Sequence, residues 1–314
     1  MPTWKHAIAA LLLLVLVAII VLNAPSSRDP RAATRDDPIE TPGDLRPTTS
    51  RLRESERPLA LERLSRIQKE LSDLRDHAWA GVYGWDDVGG ESARLSIAPN
   101  SGFAYFRVSP GSPSDLNHGA VLSVKPSRIQ IEPAIDPAQN VPRTFGIHEL
   151  APLDPDLFPV RWGARRYLIA KSEMQAFCNA VNAGREGPKP RFAHRLDEGS
   201  RAEPNGLPIV PDAYTEWLLA EPIASELIQV FAPEGEANAK QARAMNALLN
   251  VGRAQGVRPG MLFWMTEARG YDFAEVLECD EQTSKVVFTL DVSHTRDTEP
   301  LKVGWKVSTR APKR

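Results

Sequence analysis

Hydrophobic positions change their spacing several times along this chain, and each change marks a different kind of element. Residues Ala7 to Leu22 are sixteen apolar residues in a row, and Asn23 and Ala24 extend the run. A soluble helix packed on a core keeps polar residues on one face, and this segment has none. At about 1.5 Å per residue it comes close to crossing a hydrocarbon layer of about 30 Å. Trp4 and Lys5 sit where a ring and a cation anchor a helix end at the interface. The expectation is a membrane helix within residues 1–24 that touches lipid through Ala7 to Leu22. A cleavable signal peptide is the alternative, since Ala24 and Ser26 place small residues at a peptidase-like spacing with Pro25 between them.

Beyond residue 24 the apolar clusters stop. Pro25, Pro30, Pro38, Pro42, Pro47 and Pro58 punctuate residues 25–58. Such a stretch buries too little apolar surface to offset its ordering entropy, so it reads as a disordered, partly extended linker. Leu64, Ile67, Leu71 and Leu74 then repeat at intervals of 3, 4 and 3 between charged residues. That seam predicts an amphipathic helix over residues 59–76. Two heptads are short for a coiled coil, so packing on the chain's own domain is favoured over a weak homodimer through these four residues.

From residue 77 the period shortens to about two. Trp79–Trp85, Ala93–Ala98, Phe103–Val108, Ala120–Val124 and Arg128–Ile131 are strand-like runs separated by Gly, Pro, Asn and Ser. Asn100-Ser101-Gly102 reads as a hairpin turn. Pro159–Ile169 is a further strand-like run. A helix is expected from Ser172, with Gln175 at capping-box spacing and Gly184 as its stop. Residues 185–205 read as loop, Asp212 to Leu219 as a short helix and Ser225 to Phe231 as a strand. The expected fold is mainly β with minor α, with a β-rich α+β domain over residues 77–235. The runs Ala247–Val251, Met261–Thr266, Phe273–Glu278, Lys285–Leu290 and Trp305–Thr309, with glycine corners, predict a small β-barrel over residues 245–314. Closure would remove the exposed edges of so small a sheet.

Two segments carry a resemblance. Asn250-Val-Gly-Arg-Ala-Gln-Gly-Val-Arg-Pro-Gly-Met-Leu-Phe263, ending in Val303-Gly-Trp-Lys-Val307, resembles a small barrel module of bacterial envelope scaffold and flagellar-assembly proteins. It spans about sixty residues, and its motif mostly encodes turn geometry. Val160-Arg-Trp-Gly-Ala-Arg-Arg-Tyr-Leu168 and Phe177-Cys-Asn-Ala-Val-Asn-Ala-Gly184 resemble uncharacterised bacterial envelope proteins with a similar N-terminal anchor. The resemblance implies an envelope location and no particular activity.

Charge decides little beyond this. A net charge of −2 offers no basic field for nucleic acid. Lys5 precedes the apolar run and Arg28, Arg31 and Arg35 follow it, which by the positive-inside rule draws the body towards the cytoplasm. The signal-like layout at the extreme N-terminus points the other way, and the expectation is a periplasmic body on a single-pass anchor.

Candidate chemistry is sparse. His6, His77, His118, His148, His194 and His294 show no metal-ligand spacing, and no phosphate loop or dinucleotide fingerprint occurs, so no metal or cofactor is expected. Asp86-Asp87 before Gly89-Gly90 lacks the EF-hand spacing and reads as a hairpin tip. Ser109 to Ser114 lacks the setting of a nucleophile elbow. Cys178 falls on the apolar stripe Met174, Phe177, Cys178 and Val181, which predicts a buried thiol; whether it pairs with Cys279 stays open. Arg161, Trp162, Arg165 and Arg166 form a cluster able to grip an anion. The plainer reading puts Trp162 in the core and the arginines in solvent. Arg258, Trp264 and Arg269 are the candidate partner contacts of the barrel. The expected role is a non-enzymatic envelope scaffold that contacts a protein or cell-wall partner. The alternative is a tethered hydrolase assembled from distant residues such as His118, His148, Glu149 and Asp154.

Overall fold

The computed structural model describes residues 49–74, 77–86, 90–110, 115–134, 153–185, 192–196, 206–231, 244–266, 271–290 and 299–312. The anchor expected at Ala7 to Leu22 lies outside them, as does most of the linker. No helix among the described residues is long and apolar enough to cross a membrane.

Period-two runs become hairpins, and the hairpins close. The first barrel is built from β1 (Gly81–Asp86), β2 (Ser92–Ala98), β3 (Gly102–Val108), β4 (Asp115–Lys125), β5 (Arg128–Pro133), β6 (Asp156–Trp162), β7 (Arg165–Ala170) and β8 (His194–Arg195). Each strand pairs antiparallel with the next, and β8 closes on β1 through Tyr83↔Arg195 and Gly84↔His194. Alternation sends Tyr83, Leu95, Ile97, Phe103, Ile129, Leu157 and Leu168 to one buried cluster. The opposite face of β6 and β7 carries Phe158, Val160, Trp162, Tyr167 and Ile169. That face is covered by α2 (Met174–Ala183) through Met174, Phe177 and Val181.

Helix α1 (Thr49–Asp73) lies against β2, β3 and β4. Its seam packs on its own chain: Ile67 is wholly buried with Ala98 and Ala104, beside Leu64 and Leu71. Leu71 and Leu74 also reach the barrel cluster. Glu70 fixes the helix to the β2–β3 turn, its carboxylate accepting N–H groups of Asn100 at 3.0 Å and Ser101 at 2.8 Å. Burial alone would raise the Glu70 pKa, but the hydrogen bonds from Ser101 and Asn100 outweigh it and hold the carboxyl below its ordinary range. The helix begins ten residues before the expected boundary and runs through Pro58. Ala60, wholly buried, and Glu56, bonded to His118, hold this half despite the missing proline N–H.

Two further expectations change. The run Pro159–Ile169 is two strands joined at Gly163-Ala164, with Gly163 at φ 61° supplying the left-handed turn. Ser172 is not a cap: α2 starts at Met174 behind a short 3₁₀ turn, and no side chain caps it. The Ser172 N–H donates instead to Asp154 at 2.8 Å. Gly184 does end the helix, in the left-handed region at φ 73°.

The second barrel contains β9 (Ala224–Val230), β10 (Ala244–Leu249), β11 (Leu262–Met265), β12 (Tyr271–Cys279), β13 (Ser284–Leu290) and β14 (Lys306–Ser308). Its strand order is β10-β13-β12-β11-β14-β9, closed by β9 on β10. The strand expected to finish the central domain is thus β9, which joins this barrel because its partners are β10 and β14. Phe263, Met265, Val286, Phe288, Leu249 and Val307 fill the interior. The Asn250 side chain accepts from Ser225 Oγ at 2.8 Å and Glu226 N–H at 3.2 Å, tying the end of β10 to β9.

Cys178 and Cys279 are both free thiols. Cys178 is completely buried, and burial pushes its pKa up to about 12. At pH 8 only about one part in ten thousand would be thiolate, the reactive form. Iodoacetamide on the native chain at pH 8 is expected to label the partly exposed Cys279 and leave Cys178 unmodified until denaturant is added. Mass mapping of the labelled peptides checks this.

Candidate binding sites

An eight-stranded barrel has an interior just wide enough to be filled by side chains or to admit one small ligand. Among the described residues one end is filled and the other holds a recess. Inward positions run along β3 from Phe103 in the core to Tyr105 and then Arg107 at the mouth. Their neighbours across on β2 are Leu95 beside Tyr105 and Ala93 beside Arg107. The result is a recess of about 240 Å³ at the end where β1 meets β2 and β3 meets β4. Leu95, Leu157 and Leu168 form an apolar floor, while Trp85, Tyr105, Arg107, Asp154 and Glu173 stand around it.

The charges at this mouth differ in how they are held. Arg107 donates from Nε to Glu91 at 2.9 Å and also pairs with it through Nη2. Arg94 bonds both carboxylate oxygens of Asp86 at 2.7 Å. Each arginine therefore already has a carboxylate. Among the described residues Asp154 and Glu173 pair with no cation: Asp154 accepts backbone N–H groups of Asp156 at 3.0 Å and Ser172 at 2.8 Å. Glu173 is exposed as a whole residue, yet protein packed about its carboxyl raises its pKa. A backbone hydrogen bond at Ala170 opposes that shift, and the Asp154 charge adds to it. Burial likewise pushes the Tyr105 phenol up to about 12, so it is a neutral donor at any physiological pH.

The expected arginine cluster is divided by its hairpin. Trp162 is 1% exposed, packs edge-on to Phe177, and donates from Nε1 to Gly206 O at 3.0 Å. Arg161 is exposed and Arg166 donates to His77 O at 3.3 Å. Arg161 and Arg166 face each other across the β6–β7 pair, as do Trp162 and Arg165. The indole is a core group, as alternation favoured.

In the second barrel Arg258 pairs with the Glu216 carboxylate at 2.6 Å and donates to its carbonyl at 3.2 Å. Trp264 is half-buried with Arg185 5.1 Å above its ring and Phe273 at its edge. Arg269 lies outside the described residues. The distant hydrolase set is not gathered in the described part. His118 Nε2 sits 2.7 Å from Glu56 on α1, on a different wall from Asp154, and His148 and Glu149 lie outside the described residues. Among the described residues no cluster of His, Cys, Asp and Glu suits a metal ion.

No protein-family model, curated protein or solved structure matches the chain.

The recess was missed by sequence reasoning. The one available signal was that Tyr105 and Arg107 occupy inward positions continuing from Phe103, where a filled barrel would carry apolar residues.

Proposed function

We propose that this chain is a membrane-anchored bacterial envelope protein whose two-barrel body acts by binding outside the cytoplasm, as a scaffold, without catalysing a reaction. The observation that supports this reading is the junction between the barrels. Asn179 of α2 donates to Gly260 O at 2.9 Å and accepts the Leu262 N–H at 3.2 Å. Asn182 donates to Trp217 O at 2.8 Å and accepts the Leu219 N–H at 2.9 Å. Two side-chain amides thus engage four backbone groups of the segment leading into the second barrel and of that barrel itself. A junction built this way sets the distance between two sheet surfaces, which a scaffold needs. The apolar run Ala7 to Leu22 and the proline-rich stretch after it supply the anchor and tether in this reading.

The test is made in intact cells with the full-length chain. A reporter active only outside the cytoplasm, fused after Arg314, is expected to be active. A photocrosslinking residue at exposed Glu226 or Gln229 of β9 is expected to capture one recurrent partner. Reporter activity confined to a cytoplasmic form would reverse the topology, and crosslinks matching those of an unrelated periplasmic protein would remove the scaffold role.

A further inference from the structure

The geometry points to a ligand site in the open end of the first barrel, and we propose that it takes a small organic amine whose apolar body enters the recess and whose ammonium stays at the lip between Asp154 and Glu173. This stands apart from the scaffold reading, which rests on the junction and not on the recess.

Size comes first. An apolar cavity of about 150 Å³ holds a benzene ring, and sites for drug-sized molecules begin at about 300 Å³. The recess, at about 240 Å³, falls between them. It fits one ring or branched alkyl group with a short polar head. The floor of Leu95, Leu157 and Leu168 gives that body an apolar seat, and all three leucines belong to strands of a closed barrel. A seat on paired strands is already ordered before a ligand arrives, so little further ordering is needed on binding.

The sign of the head follows from which charges remain uncompensated. Both arginines at the mouth are neutralised by their own partners, Glu91 and Asp86. An incoming carboxylate would have to compete with those ion pairs. Among the described residues Asp154 and Glu173 accept only backbone hydrogen bonds, and both line the same recess, where the Asp154 charge disfavours ionisation of Glu173. Two nearby carboxylates without a cation repel each other, and an ammonium between them relieves that repulsion. The neutral Tyr105 phenol and the Trp85 indole line the same recess. Aromatic faces tolerate a cation and disfavour an anion. The carboxylates and the aromatic faces select for a positive head, and the two arginines that would oppose it are held by their own carboxylates.

The experiment is titration calorimetry on the full-length chain in a mild detergent, with three probes of nearly equal shape: 2-phenylethylamine, 2-phenylethanol and 3-phenylpropionate. The amine is expected to bind, the alcohol at least 10-fold more weakly, and the acid without measurable heat. Glu173→Gln, a change at the exposed lip, is expected to weaken the amine at least 5-fold and leave the alcohol unchanged. Leu168→Phe, which fills the floor, is expected to abolish binding of the amine. Should that core variant fail to fold, Glu173→Gln decides alone, with a thermal melt to show that it is folded. Equal affinity for amine and alcohol would reduce the site to an unselective apolar hole and overturn the proposal. So would the absence of heat from the amine at millimolar concentration, or an unchanged amine affinity in Glu173→Gln.

Discussion

Replacing Ile67 with Asp is expected to release helix α1 from the first barrel and lower stability by roughly 3–5 kcal/mol, with no change in molecular mass. Ile67 is fully buried, and its neighbours Ala98, Ala104, Leu64, Leu71 and Phe106 offer no donor to a carboxylate. The new side chain must therefore desolvate without a partner or pull the helix away. Pulling the helix away also breaks the Glu70 bonds to the β2–β3 turn and the Arg63 bond to Gly119 O at 2.6 Å. It exposes the ends of Leu71 and Leu74 that close this side of the barrel cluster. Denaturant titration of the full-length chain in detergent, with light scattering for mass, reads both quantities. A halved mass at an unchanged midpoint would show instead that the seam joins two chains.

Local pattern carried most of the strands. The runs over Ala93–Ala98 and Phe103–Val108 became β2 and β3 almost unchanged, because each has one clean inward face and a glycine-bearing turn between them. The same logic gave the second barrel its strands, where Met245, Ala247 and Leu249 alternate with less buried neighbours. What failed were features whose cause lies elsewhere in the chain. His194–Arg195 is too short to show any period, and it is a strand only because β1 and β7 flank it. Strand β9 was legible as a strand but not as a member of the second barrel, since its partners come later in sequence. Helix α1 continues back through Pro58 because Glu56 and Ala60 find tertiary partners, which no window of proline-rich sequence reveals.

The site was less legible than the fold for the same reason. The recess draws Trp85, Leu95, Tyr105, Leu157, Leu168 and Glu173 from six separate elements or their ends. Asp154 was singled out as a catalytic candidate, yet its neighbours are Glu173 and two backbone N–H groups, with neither histidine of the expected set lining the recess among the described residues. Trp162 and its arginines stood out in the sequence because bulky aromatic and guanidinium groups sit side by side. Alternation on β6 and β7 puts Arg161 and Arg166 on the other face, and Trp162, opposite Arg165, goes to the packing against α2.

Replacing Asn179 and Asn182 together with Leu is expected to uncouple the barrels, converting one cooperative thermal transition of the body into two. Both asparagines are buried, at 7% and 6% exposure, so the groups they serve cannot turn to water without movement. Leucine keeps the branched heavy-atom skeleton at a larger volume, so it opens no cavity, but it leaves Gly260 O, Leu262 N–H, Trp217 O and Leu219 N–H without these partners. An unsatisfied buried backbone group costs about 1–3 kcal/mol, and neighbouring losses do not simply add. A total on the order of 5 kcal/mol is enough to separate the transitions of two barrels that each retain an apolar core of their own. Among the described residues the Ala311 N–H donates to Ala183 O at 3.2 Å and Arg185 lies 5.1 Å above the Trp264 ring, and these two contacts are too little to preserve the coupling alone. Scanning calorimetry of the full-length chain in detergent reads the outcome. Each single variant should show a broadened transition and the double variant two resolved ones. A single transition at the native midpoint in the double variant would mean that apolar contact, and not these amides, holds the barrels together.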